Sequence, residues 1–493
     1  MTLHRGMIGT IDGIGPTIER LAAASPGSVA LVDHRGALNR VRLAERIVAV
    51  AGWLSSKVPP GASVALHLPD TPDFIVAFVA AVWAGCNVQV LNRDWPRATV
   101  AEIRSRLRPD LLLDDPACLK AAAESGPTVA PAPPVSIDQP FYTGFTSGST
   151  GLPKGFVRTQ RSWIASFRSD NEEFAYSARD VFAVPGSFTH SMPLYGAIRG
   201  LYAGARVLCL GTGRPDRMVA LMSAEEATVL YAVPTQLQTI VEAARRKKVR
   251  MPAVRLVLTG GAKAAPALQR AIAEVFPEAE FCEFYGSSEL SYVSLARARE
   301  NAPATSVGRP FPGVRIHVLG DDESPLPRGR VGRIFVESPF RFLGYALGSS
   351  KGELSFATAV PGAICVGDTG WLDENGFLHL AGRTSRMIVS SGRNIHPEAI
   401  EEVLERHPGV RSAAGFGIDD AKRGQRLVAV VRLEAGCVPA CAELIRHCAV
   451  HLPDYNVPRI FHRIEDWPAT ASGKTDFPAI RGELAAGRLP RLS

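Results

Sequence analysis

The run Phe145-Thr-Ser-Gly-Ser-Thr-Gly-Leu-Pro-Lys-Gly155 packs hydroxyls and glycines densely enough to make a loop whose backbone N–H groups can turn toward phosphate oxygens. Thr146, Ser147, Ser149, Thr150 and Lys154 add side-chain donors. In composition it is a phosphate cradle, but it departs from the Walker A pattern, because Lys154 follows Pro153 and precedes Gly155 where Ser or Thr is required. Composition alone leaves an ordinary Gly/Ser connection equally open.

Working outward from this loop, strand-like runs such as Ser63–Leu68 alternate with helical ones such as Leu43–Leu54 on the N-terminal side, the pattern of α/β layering. The Pro- and Ala-rich stretch Ala122–Ser136 reads as a surface connection. On the C-terminal side, Thr228–Val233 and Val254–Thr259 read as buried strands that end at Pro234 and at Gly260-Gly261. After Arg383 the elements change character. A helix opens at Pro397 with Ile400, Val403 and Leu404 on one face, followed by a strand (Arg426–Leu433), a helix (Ala440–His451) and a strand near Ile460–Ile464. The expected organisation is therefore a large α/β domain over residues 1–384 and a small α+β domain over 385–493, each large enough to hold its own core.

The 493 residues exclude a single small binding module, and 46% hydrophobic with 21% charged residues excludes a disordered chain. The longest apolar run, Phe74–Ala84, is well short of the roughly 18 residues a membrane span needs. It reads as a buried helix, with Thr71 as its cap and Pro72 at the first helical position. No apolar stretch follows His4 and Arg5 to form a signal-peptide core, so a cytoplasmic protein is expected. The eight cysteines form no CxxC pair and have no histidine at zinc spacing, and so read as small buried hydrophobes. A net charge of +7 without a basic tract does not indicate nucleic acid but is compatible with polyanionic small ligands.

Beyond the glycine-rich run, the chain resembles the acyl-adenylate-forming superfamily of acyl-CoA synthetases, adenylation domains and luciferases over nearly its whole length. The motifs follow in the family's order: Phe284-Tyr-Gly-Ser-Ser-Glu289, Gly367-Asp-Thr-Gly-Trp371, Gly382-Arg383 leading to Gly392-Arg-Asn-Ile-His-Pro397, and Ser472-Gly-Lys474. Bacterial acyl-CoA ligases are the subgroup it is most similar to, through Gly144–Gly151, His190-Ser191, Leu194-Tyr-Gly-Ala197 and Glu283-Phe-Tyr-Gly286. The resemblance implies a large N-terminal domain of the adenylate-forming type, a small mobile C-terminal domain, and an AMP-forming acid–thiol ligase using ATP, Mg²⁺ and coenzyme A.

On local grounds alone, Glu289 reads as a solvated carboxylate after a turn, Asp368 as a turn former before Gly370, and Lys474 as a surface lysine. The resemblance gives them work. It implies catalysis by Lys474, Thr146 and Glu289, with Glu289 as the magnesium ligand. It implies ATP binding by Thr146, Ser147, Gly148, Ser149, Thr150, Gly151 and Lys154, by Gly260, Gly261, Ala262, Tyr285, Gly286, Ser287 and Ser288, and by Asp368 and Arg383, the last two joined across a Glu374-Asn-Gly376 hairpin. The acyl pocket falls to His190, Ser191, Tyr195 and Gly261, and the hinge or coenzyme A contacts to Arg386, Ser391, Gly392 and Arg393. Arg386 stands where the family has Asp or Lys, Ala399 where it has Glu, Arg333 where an acid is frequent, and Asn456 where a basic residue is frequent.

The partners implied are a carboxylic acid and coenzyme A, or an acyl carrier protein or amine as alternative acceptors; self-association as a homodimer is left open. An inactive nucleotide-binding relative is the reading from another class, and the retained Lys474 and Glu289 argue against it. No acidic residue occurs between Val181 and Thr212, so an α-amino acid would find no counter-charge there, and Lys263 leaves open a second carboxylate on the substrate.

Overall fold

The computed structural model describes residues 12–124, 136–146, 153–300, 302–347, 355–356, 360–390, 393–420, 424–470 and 474–492. The chain forms two compact units, one of Met1–Arg315 with Glu337–Ser349 and the other of Ile316–Val336 with Ser350–Ser493.

The first unit is α/β, as the alternating pattern requires. Among the described residues, its larger sheet has nine strands, with Glu280–Ser287, Leu256–Gly260, Val229–Tyr231, Val181–Pro185 and Arg206–Gly211 running in parallel through its middle. Strands buried on both faces read as continuous apolar runs, and Val181–Pro185 is buried at every position. The smaller sheet orders Gly344–Leu347, Lys154–Thr159, Pro140–Thr146, Asn87–Val90, Ser63–Leu66 and Leu111–Leu113. Helix Pro72–Trp83 is buried from Phe74 through Val82, as its apolar run requires. Thr71 makes no side-chain cap; its carbonyl takes the Phe74 N–H instead. The connection expected from Ala122 begins later, since residues 122–124 close helix Pro116–Glu124.

Among the described residues the second unit holds two sheets, one on each side of residues 384–385, so it takes in residues before the boundary read from the sequence as well as those after it. One is built from strands between Arg315 and Arg383, the other from Ile388–Ser390, Arg393–Ile395, Val410–Asp420, Gly424–Leu433 and Phe461–Arg463. Strand Gly424–Leu433 is apolar on both faces. Leu427, Ala429 and Val431 pack with Ile400, Leu404 and Leu444, while Val428 and Val430 pack with Phe416 and Ile480. Its long hairpin partner Val410–Asp420 has no counterpart in the sequence reading, because Gly415 and Gly417 interrupt its apolar run. Cys86, Cys209, Cys282, Cys365 and Cys448 are buried as expected, whereas Cys437 is exposed.

Candidate active site

In the first unit the candidate residues gather where strands end. Thr146 closes strand Pro140–Thr146 and pairs in register with Lys154, which opens the antiparallel return. Ser147, Gly148, Ser149, Thr150 and Gly151 lie outside the described residues. Gly260 ends a parallel strand against the ring of Phe284; a Cβ there would come within 2.5 Å of that ring, so only glycine fits. Gly261 turns with φ +85° and leaves Ala262 exposed. Tyr285, Gly286, Ser287 and Ser288 follow, half-buried, at the end of strand Glu280–Ser287.

Glu289 stands in the turn between Glu280–Ser287 and the antiparallel Ser291–Arg297, and it is 7% exposed rather than solvated. The Tyr345 hydroxyl donates to its Oε1 at 2.8 Å. Its carbonyl accepts from Phe342 N at 2.7 Å, so both of these contacts come from the segment around residues 340–345. Ser288 Oγ and Ser191 Oγ share a hydrogen bond of 2.7 Å. The Ser288 carbonyl accepts from the Arg158 guanidinium. Among the described residues no group of three or more His, Cys, Asp or Glu side chains can hold a metal. Glu289 therefore offers one carboxylate, the donor number with which magnesium is bound when phosphate oxygens complete its shell.

His190 is the N-cap of helix Ser191–Tyr202, and its side chain makes no capping bond to the helix N-terminus. The turn ahead of it is pinned by Asp70, whose Oδ1 accepts from Ser187 Oγ at 2.9 Å and Phe188 N at 2.7 Å. Burial pushes the Asp70 carboxyl above the usual carboxylate range, opposed by these two bonds. Tyr195 is buried, and its hydroxyl contacts Ser166 Oγ and donates to Asp170. Asp170, fully buried, is pushed up to about 6 by desolvation, against the pull of Arg199, whose Nε lies 2.6 Å from its Oδ1. Lys263 is held on the carbonyls of Ala304 and Ser306, so the second-carboxylate expectation finds its ammonium already engaged.

In the second unit, Asp368 and Arg383 face each other across the expected hairpin, in register and bonded from Arg383 Nε to Asp368 Oδ1 at 3.0 Å. Asp368 is buried while the Arg383 side chain is 57% exposed. Arg386 lies in the short turn Thr384–Arg386, with its guanidinium on Glu398 and Glu401 and above the Phe477 ring. Glu398 directly follows Pro397, one position ahead of the acid whose place Ala399 takes. Burial raises the carboxyl of Glu398 and that of Glu401, against the pull of Arg386. Ser391 and Gly392 lie outside the described residues, and Arg393 opens strand Arg393–Ile395. Lys474 is exposed in a tight return, its carbonyl accepting from Thr470 N at 2.7 Å.

The sequence reading missed Arg158, Tyr345, Asp70 and Asp170. For Arg158 a signal existed: Phe156 and Arg158 are two apart in a strand, so both point to the same, buried side.

Residues 18–346 match the family described as AMP-binding enzyme, and residues 399–474 match the AMP-binding enzyme C-terminal domain. An uncharacterised acyl–CoA ligase, YhfT of Bacillus subtilis (strain 168), is 33% identical, covering 93% of this chain and 95% of its own. A feruloyl-CoA synthase of Amycolatopsis sp. is 28% identical over 96% and 98%. Among solved structures, ATP-bound MatB from Rhodopseudomonas palustris shares the fold with a TM-score of 0.84 at 22% identity, covering 96% of this chain and 99% of that one.

Proposed function

Because the chain belongs to the AMP-binding enzyme family, we propose that it is an AMP-forming acyl-CoA synthetase, which activates a carboxylic acid as its acyl-adenylate and transfers the acyl group to coenzyme A. In the first step a carboxylate oxygen attacks the α-phosphorus of ATP and pyrophosphate leaves. In the second the thiol sulfur attacks the acyl carbonyl carbon, its proton is lost, and AMP leaves.

The observation that carries this reading is the presentation of Glu289, a buried carboxylate fixed by Tyr345 at a strand-end turn beside Tyr285–Ser288. Glu289 would hold Mg²⁺ together with nucleotide oxygens, and the ion would supply neutralisation of the charge that builds on the departing pyrophosphate. Asp368 takes the ribose hydroxyls, which suit a two-oxygen acceptor, with Arg383 fixed alongside it. Lys474, exposed on its turn, is the ammonium brought to the α-phosphate as charge develops there. Residues from 385 onward form the moving part.

The acid proposed is one without an α-amino group, aliphatic or aromatic. Asp170 is the carboxylate nearest in structure to the Tyr195 hydroxyl, yet it is committed to Arg199 and offers no free charge to a substrate ammonium. No helix among the described residues is long and apolar enough to cross a membrane. The compartment proposed is the cytoplasm, where ATP and coenzyme A are both at hand.

Pyrophosphate release over a panel of acids, each paired with its α-amino analogue, tests the reading. Release is expected with the plain acids, and preference for the amino acids would overturn the pocket assignment. Coenzyme A, a holo-carrier protein and an amine supplied separately after adenylation identify the acceptor, and product with coenzyme A alone is the expected result.

A further inference from the structure

We propose that Arg158 is a positioning residue for Glu289, holding the turn from Ser287 to Ser291 in the geometry that presents the carboxylate to magnesium-bound ATP. The inference rests on the reading of Glu289 as the metal-side carboxylate.

Arg158 is 2% exposed and spends its donors on three separate segments. Nε donates to Ser162 Oγ at 3.1 Å, at the start of the helix that follows its own strand. Nη1 donates to the Ser288 carbonyl at 2.8 Å, and Nη2 to Ser291 Oγ at 2.9 Å and the Phe340 carbonyl at 2.7 Å. Glu289 is thus bracketed on both sides. The peptide before it is held by Arg158, the residue two positions after it is held by Arg158, and its own carbonyl is held by Phe342 N. The Phe340 bond ties down the segment that also supplies Tyr345, the donor to the Glu289 carboxylate. One guanidinium therefore fixes the turn and the strand-end that grips the turn's side chain.

The kind of partner matters as much as the number. Arg199 and Arg297, the other buried arginines with several bonds, are charge-paired to carboxylates, Asp170 for one and Glu173 with Glu280 for the other. Arg158 meets only carbonyls and hydroxyls, and among the described residues no carboxylate lies within ion-pair distance of it. A buried cation with no directly bonded counter-ion is costly, and here, among the described residues, only the more distant charge of Glu289 offsets part of that cost. A neutral side chain would fill the same space at lower cost, but would not hold two carbonyls and two hydroxyls at once as a rigid guanidinium fork does. Arg158 also lies four residues beyond Lys154, on the strand that leaves the glycine-rich loop, so it couples the loop's exit to the Glu289 turn directly.

The test compares Arg158→Lys, Arg158→Met and Ser291→Ala with Glu289→Gln, and with Arg297→Lys as a buried clamp elsewhere in the same unit. Three readouts are taken: melting temperature, Mn²⁺ retained with ATP by electron paramagnetic resonance, and the Mg²⁺ concentration for half-maximal pyrophosphate release. Partners that orient a metal-ligating group typically alter metal affinity by about 10- to 100-fold. Arg158→Met is expected to weaken Mn²⁺ retention and raise the Mg²⁺ requirement by about tenfold, with the KM for the acid unchanged. Arg158→Lys restores part of the loss, and Ser291→Ala, which removes a single bond, produces a smaller shift in the same direction even if Arg158→Met fails to fold. Adding Arg158→Met to Glu289→Gln brings no further rise, because Arg158 acts only through that carboxylate.

If Glu289→Gln shifts the metal dependence while the Arg158 variants and Ser291→Ala do not, the positioning role is overturned and the reading of Glu289 stands. If Glu289→Gln leaves it unchanged, the reading of Glu289 itself fails. An equal shift in Arg297→Lys would reduce Arg158 to general stability and overturn the proposal.

Discussion

The Tyr345 hydroxyl donates to Glu289 Oε1 at 2.8 Å, joining two residues 56 positions apart through the same unit of the molecule. Glu289 is buried, so this donor offsets part of the cost of keeping a carboxylate out of water. A hydrogen bond to a charged group contributes about 1.5–3 kcal/mol. Tyr345→Phe is expected to slow adenylation by about tenfold while leaving thioester formation from a supplied acyl-adenylate intact, which stopped-flow pyrophosphate release and a thioester assay would check separately.

Lys474→Ala should abolish adenylate formation, by about 10²- to 10³-fold as for the loss of one transition-state donor, yet spare thioester formation from added acyl-adenylate. Lys474 is exposed on a turn with no role in either core, so its removal leaves the melting temperature unchanged. Equal damage to both half-reactions would remove the lysine from its assigned step.

Asp170 and Arg199 form a buried ion pair, 0% and 3% exposed at the side chain. Asp170→Asn strands the guanidinium, and breaking such a pair costs about 3–5 kcal/mol. Denaturant unfolding should show a loss of that order, and Asp170→Asn combined with Arg199→Met should recover most of it. A loss that persists in the double variant would place the cost in packing rather than in charge.

The Asp70 carboxyl, raised by burial, takes up its proton at a higher pH than an ordinary aspartate. Its bonds to Ser187 and Phe188 are strongest while it is ionised. As the pH falls through the raised value, the turn before His190 should loosen and the KM for the acid should rise; Asp70→Asn should flatten this dependence across the acid range. Steady-state KM measured against pH in both proteins is the check.

Much of this arrangement is legible in the sequence, because its chemistry sits at strand ends punctuated by glycine. The hairpin at Glu374-Asn-Gly376 brought Asp368 opposite Arg383 as its spacing required, and the helix at Pro397 buries Ile400, Val403 and Leu404 as their period required. What escaped were long-range polar contacts. Asp70 to Phe188, Arg158 to Phe340 and Tyr345 to Glu289 span 118, 182 and 56 residues. Local patterning carries no trace of the partner in such pairs. The other omission, strand Val410–Asp420, lacks the β-branched density of its neighbour Gly424–Leu433 and is held in place by pairing with it.

Glu398 touches the chain on either side of Thr384-Ser385, accepting from Arg383 N at 3.4 Å and from Arg386 Nη1 at 3.2 Å. It also presses on Gly382, where any Cβ would collide with its carboxylate. On the proposal that the residues from 385 onward move, a joint built this way would be a detent and not a free bearing. Swinging the backbone between those two donors would disengage the carboxylate from one of them, giving the proposed travel between half-reactions a click with its own activation barrier. The tempo of turnover would then depend partly on a residue to which no contact with acid, nucleotide or thiol is assigned.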